Sequence, residues 1–253
     1  INAAKVLHLL PLLDLASPEI SVLDVGAGPG TAGLALLSAL PVGMRLTCAE
    51  DSTPMRQVAE RLLSHFKGRG TLTNLRMSAS LPPSSAGSFD VVIAANVLAE
   101  LAEADGAYLV DELSDRVCEG GSLILIEPGQ QSHTRRLMTL RDRIVKTHPN
   151  MVPQYPCTRG DGCPMLQTSP IDWCHGTLEW RQPKLNAQLD DLLSFNKHRI
   201  KYSAFVFRKN GVLKEGIRVL TSPEKNRIGV QSLVCGNDYY GVVTIRKGAR
   251  SEK

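Results

Sequence analysis

The chain has 253 residues, 43% of them hydrophobic and 21% charged, which is enough for one large domain or one domain with an appendage and excludes general disorder. No apolar run approaches the roughly 20 residues of a membrane-crossing helix. The formal net charge of +4 hides an asymmetry. Residues 1–130 carry 8 basic and 15 acidic side chains, a net of −7, residues 131–196 a net of +2, and residues 197–253, with 13 and 4, a net of +9. A basic end of this kind points to a polyanionic partner, or to a solvated basic sheet edge.

Ile1 opens directly into an amphipathic stretch rather than a signal peptide, and the chain lacks an initiator methionine, as a fragment would. Residues 3–15 read as a helix interrupted by Pro11. Ser21–Val25 is a predicted strand, 26–33 a glycine-rich turn and Thr31–Leu40 a helix of small residues. Arg45–Ala49 is the second strand. Ser52 or Thr53 caps a helix with Pro54 in its first turn. Leu72–Met77, Phe89–Ala94 and Ser122–Glu127 follow as strands, with helices at Asp105–Cys118 and Ser132–Thr147. Near-continuous apolar strands alternating with helices predict a doubly wound α/β sheet. The stretch from Pro149 to Pro183 has no sustained period and holds three cysteines and both tryptophans. Strands resume at Lys201–Arg208, Gly216–Leu220, Val230–Cys235 and Tyr240–Arg246, expected to be antiparallel. The expected divisions are 1–148, a cofactor-binding α/β core; 149–198, a cysteine-rich insertion; and 199–253, C-terminal strands completing the sheet.

The strongest local signal is Asp24-Val25-Gly26-Ala27-Gly28-Pro29-Gly30, between a strand and a helix. Its glycines let backbone approach a ligand, and the helix start offers unpaired N–H groups. Glu50, at the end of the second strand, is placed to accept the ribose hydroxyls of an adenosine cofactor. Gly28-x-Gly30-x-x-Gly33 also matches a dinucleotide fingerprint, so an NAD-dependent oxidoreductase with a structural zinc is an alternative. A carboxylate at Asp24 would repel a pyrophosphate but can bind the amino group of S-adenosylmethionine. The turn, with Glu50 and Asp51, resembles motif I and the next acidic position of class I methyltransferases. The candidate cofactor residues are Asp24, Gly26, Ala27, Gly28, Gly30, Glu50, Asp51, Ser78 and Asn96. No catalytic residue is assigned.

Cys157, Cys163 and Cys174 lie in the insertion, and Cys235 follows 61 residues later. Such a set suits a metal that fixes a segment with no core of its own. Four thiolates can hold one zinc or a [4Fe–4S] cluster, and the spacing leaves both open.

Nearly the whole chain resembles the small-ribosomal-subunit-associated methyltransferase-like family of bacteria and mitochondria. The residues that carry the resemblance are Leu23 to Ala32, Val97–Leu101, Pro156-Cys157, Gly162-Cys163-Pro164, Trp173-Cys174-His175, Lys201-Tyr202-Ser203 and Leu233-Val234-Cys235-Gly236. The resemblance implies a [4Fe–4S] cluster on Cys157, Cys163, Cys174 and Cys235, with zinc as the alternative. It implies docking on the small ribosomal subunit and its rRNA during assembly or translation initiation, in a mitochondrial matrix or a bacterial cytoplasm. An active rRNA methyltransferase is the alternative function. The protein is expected to be monomeric off the ribosome and to have no membrane partner. Arg135, Arg136, Arg141, Arg143 and Lys146 are expected to extend the RNA-facing surface.

Overall fold

The structure is a computed structural model, and it describes residues 1–246 except 16, 68, 69, 84, 86, 158, 181, 195–197, 237 and 238. Lys247, Arg250 and Lys253, part of the basic C-terminal stretch, lie outside the described residues. In chain order the elements of the first half are α1 (Asn2–Leu9), β1 (Glu19–Val25), α2 (Thr31–Ala39), β2 (Gly43–Ala49), α3 (Thr53–Ser64), β3 (Leu72–Ser78), β4 (Phe89–Ala95), α4 (Glu103–Asp115), β5 (Val117–Pro128) and α5 (Gln131–Thr147). The second half adds β6 (Met151–Tyr155), α6 (Pro164–Thr168), β7 (Gly176–Glu179), α7 (Lys184–Leu192), β8 (Arg199–Lys209), β9 (Arg218–Val219), β10 (Glu224–Lys225), β11 (Gly229–Cys235) and β12 (Tyr240–Arg246).

The main sheet runs β3-β2-β1-β4-β5-β8-β6, with β7 also paired to β8. The first five strands are parallel, and β8 enters antiparallel against β5, β6 and β7. Strand residues alternate between two cores. Val22 and Ile93 pack with Leu36 and Leu63 of α2 and α3. Their neighbours Leu23 and Val92 pack on the other face with Leu113, Leu137 and Ile144 of α4 and α5. Both faces are therefore buried, which explains the near-continuous apolar strands.

Two features differ from the sequence reading. Only β8 of the C-terminal strands joins the main sheet; β9, β10, β11 and β12 form a second, four-stranded antiparallel sheet around β11. The stretch from Pro149 to Pro183 also contains regular structure. β6 and β7 pair with opposite ends of β8. Pro153 is tolerated in β6 because that strand lies at the sheet edge, where a missing donor costs little.

Candidate functional site

The strand order reverses between β1 and β4, and ligands of open α/β sheets bind at such switch points, beyond the carboxyl ends of the strands. A cleft of about 560 Å³ opens there. Its lining includes Asp24, Gly26, Ala27, Gly28, Glu50, Asp51 and Asn96, seven of the nine residues expected from sequence. The glycine turn has backbone that only glycine adopts readily: Gly26 has φ +61° and Gly28 φ +52°. A Cβ on Gly26 would stand 2.3 Å from Val97 Cγ2, whereas one on Gly28 would meet nothing within 4 Å. The first glycine is thus required by packing and the second faces open space.

The acids are fixed by backbone. Glu50 accepts the Gly28 N–H at 2.8 Å and the Ser52 N–H at 2.9 Å. Asp24 is 1% exposed and accepts the Gly33 N–H at 3.2 Å. Burial, opposed by that hydrogen bond, raises its carboxyl to a pKa of about 7. The segment after β4 is held by Glu127, buried at the end of β5, which accepts the Leu98 N–H at 2.8 Å. Asn96 turns the chain there with φ +60°, a conformation asparagine tolerates.

Gly30 and Ser78 do not line the cleft. Gly30 lies back against Ala59 and Leu63 of α3, and the Ser78 carbonyl accepts the Glu50 N–H at 2.9 Å. Ala79 and Ser80 line the cleft in place of Ser78. Sequence reasoning also missed Asn2 and Val6 of α1 and Met55 of α3, which form part of the wall.

Cys157 and Cys163 come from the loop between β6 and α6, Cys174 from the loop before β7 and Cys235 from the end of β11, yet all four line one small cavity. Phe205, Leu220, Met165 and Pro164 supply apolar wall, and Arg159 and Arg218 also border it. All six cysteines of the chain are free thiols. Among the described residues no group of three or more His, Cys, Asp or Glu side chains is arranged to hold a metal ion. Burial pushes the Cys157 thiol up to about 12, despite Arg141, and raises Cys163 and Cys235 as well.

Helix α5 supports this region from below. Arg141 is fully buried, donating to the carbonyls of Arg159 and Asp161 within the Cys157–Cys163 loop. Asp142 accepts the Cys163 N–H at 2.9 Å. Arg135 donates to the carbonyls of Ser169 at 2.9 Å and Asp172 at 2.6 Å, and the Cys174 N–H points at Met138 Sδ, 3.3 Å away. Arg136 holds the carbonyls of Leu101 and Ala102, and Arg143 pairs with Asp111. Arg135, Arg136 and Arg141 of this helix thus hold backbone carbonyls of distant loops, whereas Arg143, paired with Asp111, and Lys146 are exposed.

The family model for mitochondrial small ribosomal subunit Rsm22 matches residues 16–250. The chain belongs to the Rsm22 family. Solved structures of similar fold are methyltransferases. A putative class I S-adenosylmethionine-dependent methyltransferase from Listeria monocytogenes is 14% identical, with a TM-score of 0.51 over 83% of this chain and 59% of that one. The plantazolicin methyltransferase BamL, solved with SAH and a triazolic desmethylPZN analogue, is 10% identical with a TM-score of 0.51 over 83% and 85%. Magnesium protoporphyrin IX methyltransferase of Synechocystis, with bound SAH, is 13% identical with a TM-score of 0.50 over 82% and 81%. The Rsm22-family chain thus has an α/β class I methyltransferase-like fold. A segment of 119 residues, 44% of the chain, is 30% identical to a highly reducing polyketide synthase of Gibberella zeae, of which it spans 5%. Among the described residues no helix is long and apolar enough to cross a membrane.

Proposed function

We propose that this chain is an S-adenosylmethionine-binding factor of the small ribosomal subunit that carries a [4Fe–4S] cluster and docks on rRNA during assembly or initiation. The observation that carries this reading is the convergence of Cys157, Cys163, Cys174 and Cys235 on one cavity, within a chain of the Rsm22 family. The donor set fits the group: four thiols, apolar walls, and the guanidinium of Arg218 with Nη1 3.1 Å from Cys174 Sγ. Thiolate ligands are stabilised by nearby cations and release their protons on metal binding. A cluster there would supply a cross-link and a redox-active centre. A zinc ion on the same four thiols is the alternative occupant, and metal and sulfide content separates the two.

In this reading Glu50 would accept ribose hydroxyls, Asp24 would bind an amino group, and the Gly26–Gly28 backbone would approach the cofactor closely. Methyl transfer is the second reading, favoured by Asn96 and Glu100, which bring polar groups to the cleft beyond β4. The family description supports a mitochondrial setting. RNA would meet the exposed Lys214, Lys225, Arg227 and Arg246. Off the ribosome the protein would be monomeric.

The test is co-sedimentation of the purified chain with small subunits in the presence of labelled S-adenosylmethionine. Binding without label in rRNA supports a non-catalytic factor. Label that vanishes with Gly28→Asp establishes the methyltransferase. Failure to bind any small-subunit precursor overturns the ribosomal reading.

A further inference from the structure

Arg218 lies in β9, directly opposite Cys235 of β11 in the strand register. Its Nη1 donates to Cys174 Sγ at 3.1 Å and its Nη2 to the His175 carbonyl at 3.5 Å. Its guanidinium carbon sits 5.6 Å from the centre of the Tyr155 ring. One side chain therefore touches the insertion through Cys174, the main sheet through Tyr155 of β6, and the second sheet through its own strand.

We infer that Arg218 is a positioning residue for the cluster: its N–H bond to Cys174 Sγ and its charge raise the reduction potential of the cluster and pin the second sheet to it. This rests on the cluster reading above. On reduction the cluster takes up one electron and no bond is made or broken, so the reduced state is the more negative. A cation and a hydrogen bond at a ligand sulfur favour that state. Removing them shifts the potential downward.

The experiment compares anaerobically purified wild type, Arg218→Lys and Arg218→Gln by iron and sulfide content and by a dithionite titration followed by electron paramagnetic resonance. At equal iron and sulfide content, Arg218→Gln is expected to reduce at a more negative potential than wild type, with Arg218→Lys in between because it keeps the charge and loses the fork. Equal potentials in wild type and Arg218→Gln would overturn the inference. Where Arg218→Gln fails to assemble a cluster, Arg218→Lys decides by the same comparison. Wild type without iron and sulfide overturns the cluster reading itself, an outcome distinct from equal potentials in loaded proteins.

Discussion

Arg135 and Arg136 are neighbours on α5 that brace opposite regions of the molecule. Arg135 reaches the Asp172 carbonyl at 2.6 Å, beside Cys174, while Arg136 reaches the Leu101 carbonyl at 2.5 Å, on the wall of the cleft. Truncation should separate the two regions. Arg135→Ala is expected to lower iron retention with S-adenosylmethionine affinity unchanged. Arg136→Ala is expected to weaken S-adenosylmethionine severalfold with iron retained. Charge-assisted hydrogen bonds are worth about 1.5–3 kcal/mol each, enough to shift either equilibrium measurably. Calorimetric titration and iron analysis of both variants check this, and an identical effect on both readouts would contradict it.

Gly28 faces open space at φ +52°. Gly28→Asp places a carboxylate beside Glu50 and strains the backbone by about 1–2 kcal/mol. The melting temperature should fall modestly, and its rise on adding S-adenosylmethionine should disappear. A preserved ligand-induced rise would contradict this use of the turn.

Asp24 gives a pH dependence. Its pKa is raised by burial to about 7 in the folded chain, from an ordinary 3.8. Between these values the native state holds more protons than the unfolded state, so its contribution to stability is complete below about pH 4 and is lost as pH rises to about 7. Asp24→Asn keeps an oxygen for the Gly33 N–H and removes the charge. Urea unfolding at pH 5 and pH 8 should show a smaller loss for Asp24→Asn than for wild type, a difference of order 1–3 kcal/mol. The same variant should lose S-adenosylmethionine, since stability and binding oppose each other at this position. An unchanged difference between the two pH values would contradict the assignment.

The basic surface separates into two classes. Lys225→Glu with Arg227→Glu changes two exposed cations on the second sheet. Affinity for small-subunit rRNA should fall, and the slope of log affinity against log salt should shrink by roughly 0.7 per lost phosphate contact. Arg143→Gln, which breaks only the pair with Asp111, should leave that slope unchanged. Filter binding across a salt series distinguishes them.

The parallel half of the fold was legible because β1, β4 and the latter half of β5 are buried on both faces and all five strands sit between clear turn residues. The glycine turn with Asp24 and Glu50 was legible for the same local reason. The stretch from Pro149 to Pro183 was not, because β6 and β7 are short edge strands whose partner, β8, begins only at Arg199. The bracing by α5 was not legible. A basic amphipathic helix shows its charges in sequence, but not that the acceptors for Arg135, Arg136 and Arg141 are backbone carbonyls of distant loops. Ser78 sits behind the cleft because the chain beyond β3 carries Ala79 and Ser80 to the wall, a local turn that the sequence pattern does not show. The four cysteines were legible as a set, while the contact of Arg218 with Cys174 depends on β9 pairing with β11 and has no local signature.

Iron, zinc and acid-labile sulfide in anaerobically purified protein test the central proposal most directly. The expected result is a brown protein with about four iron and four sulfide per chain, lost together on Cys174→Ser or Cys235→Ser. Stoichiometric zinc without sulfide, or no metal at all, would contradict it.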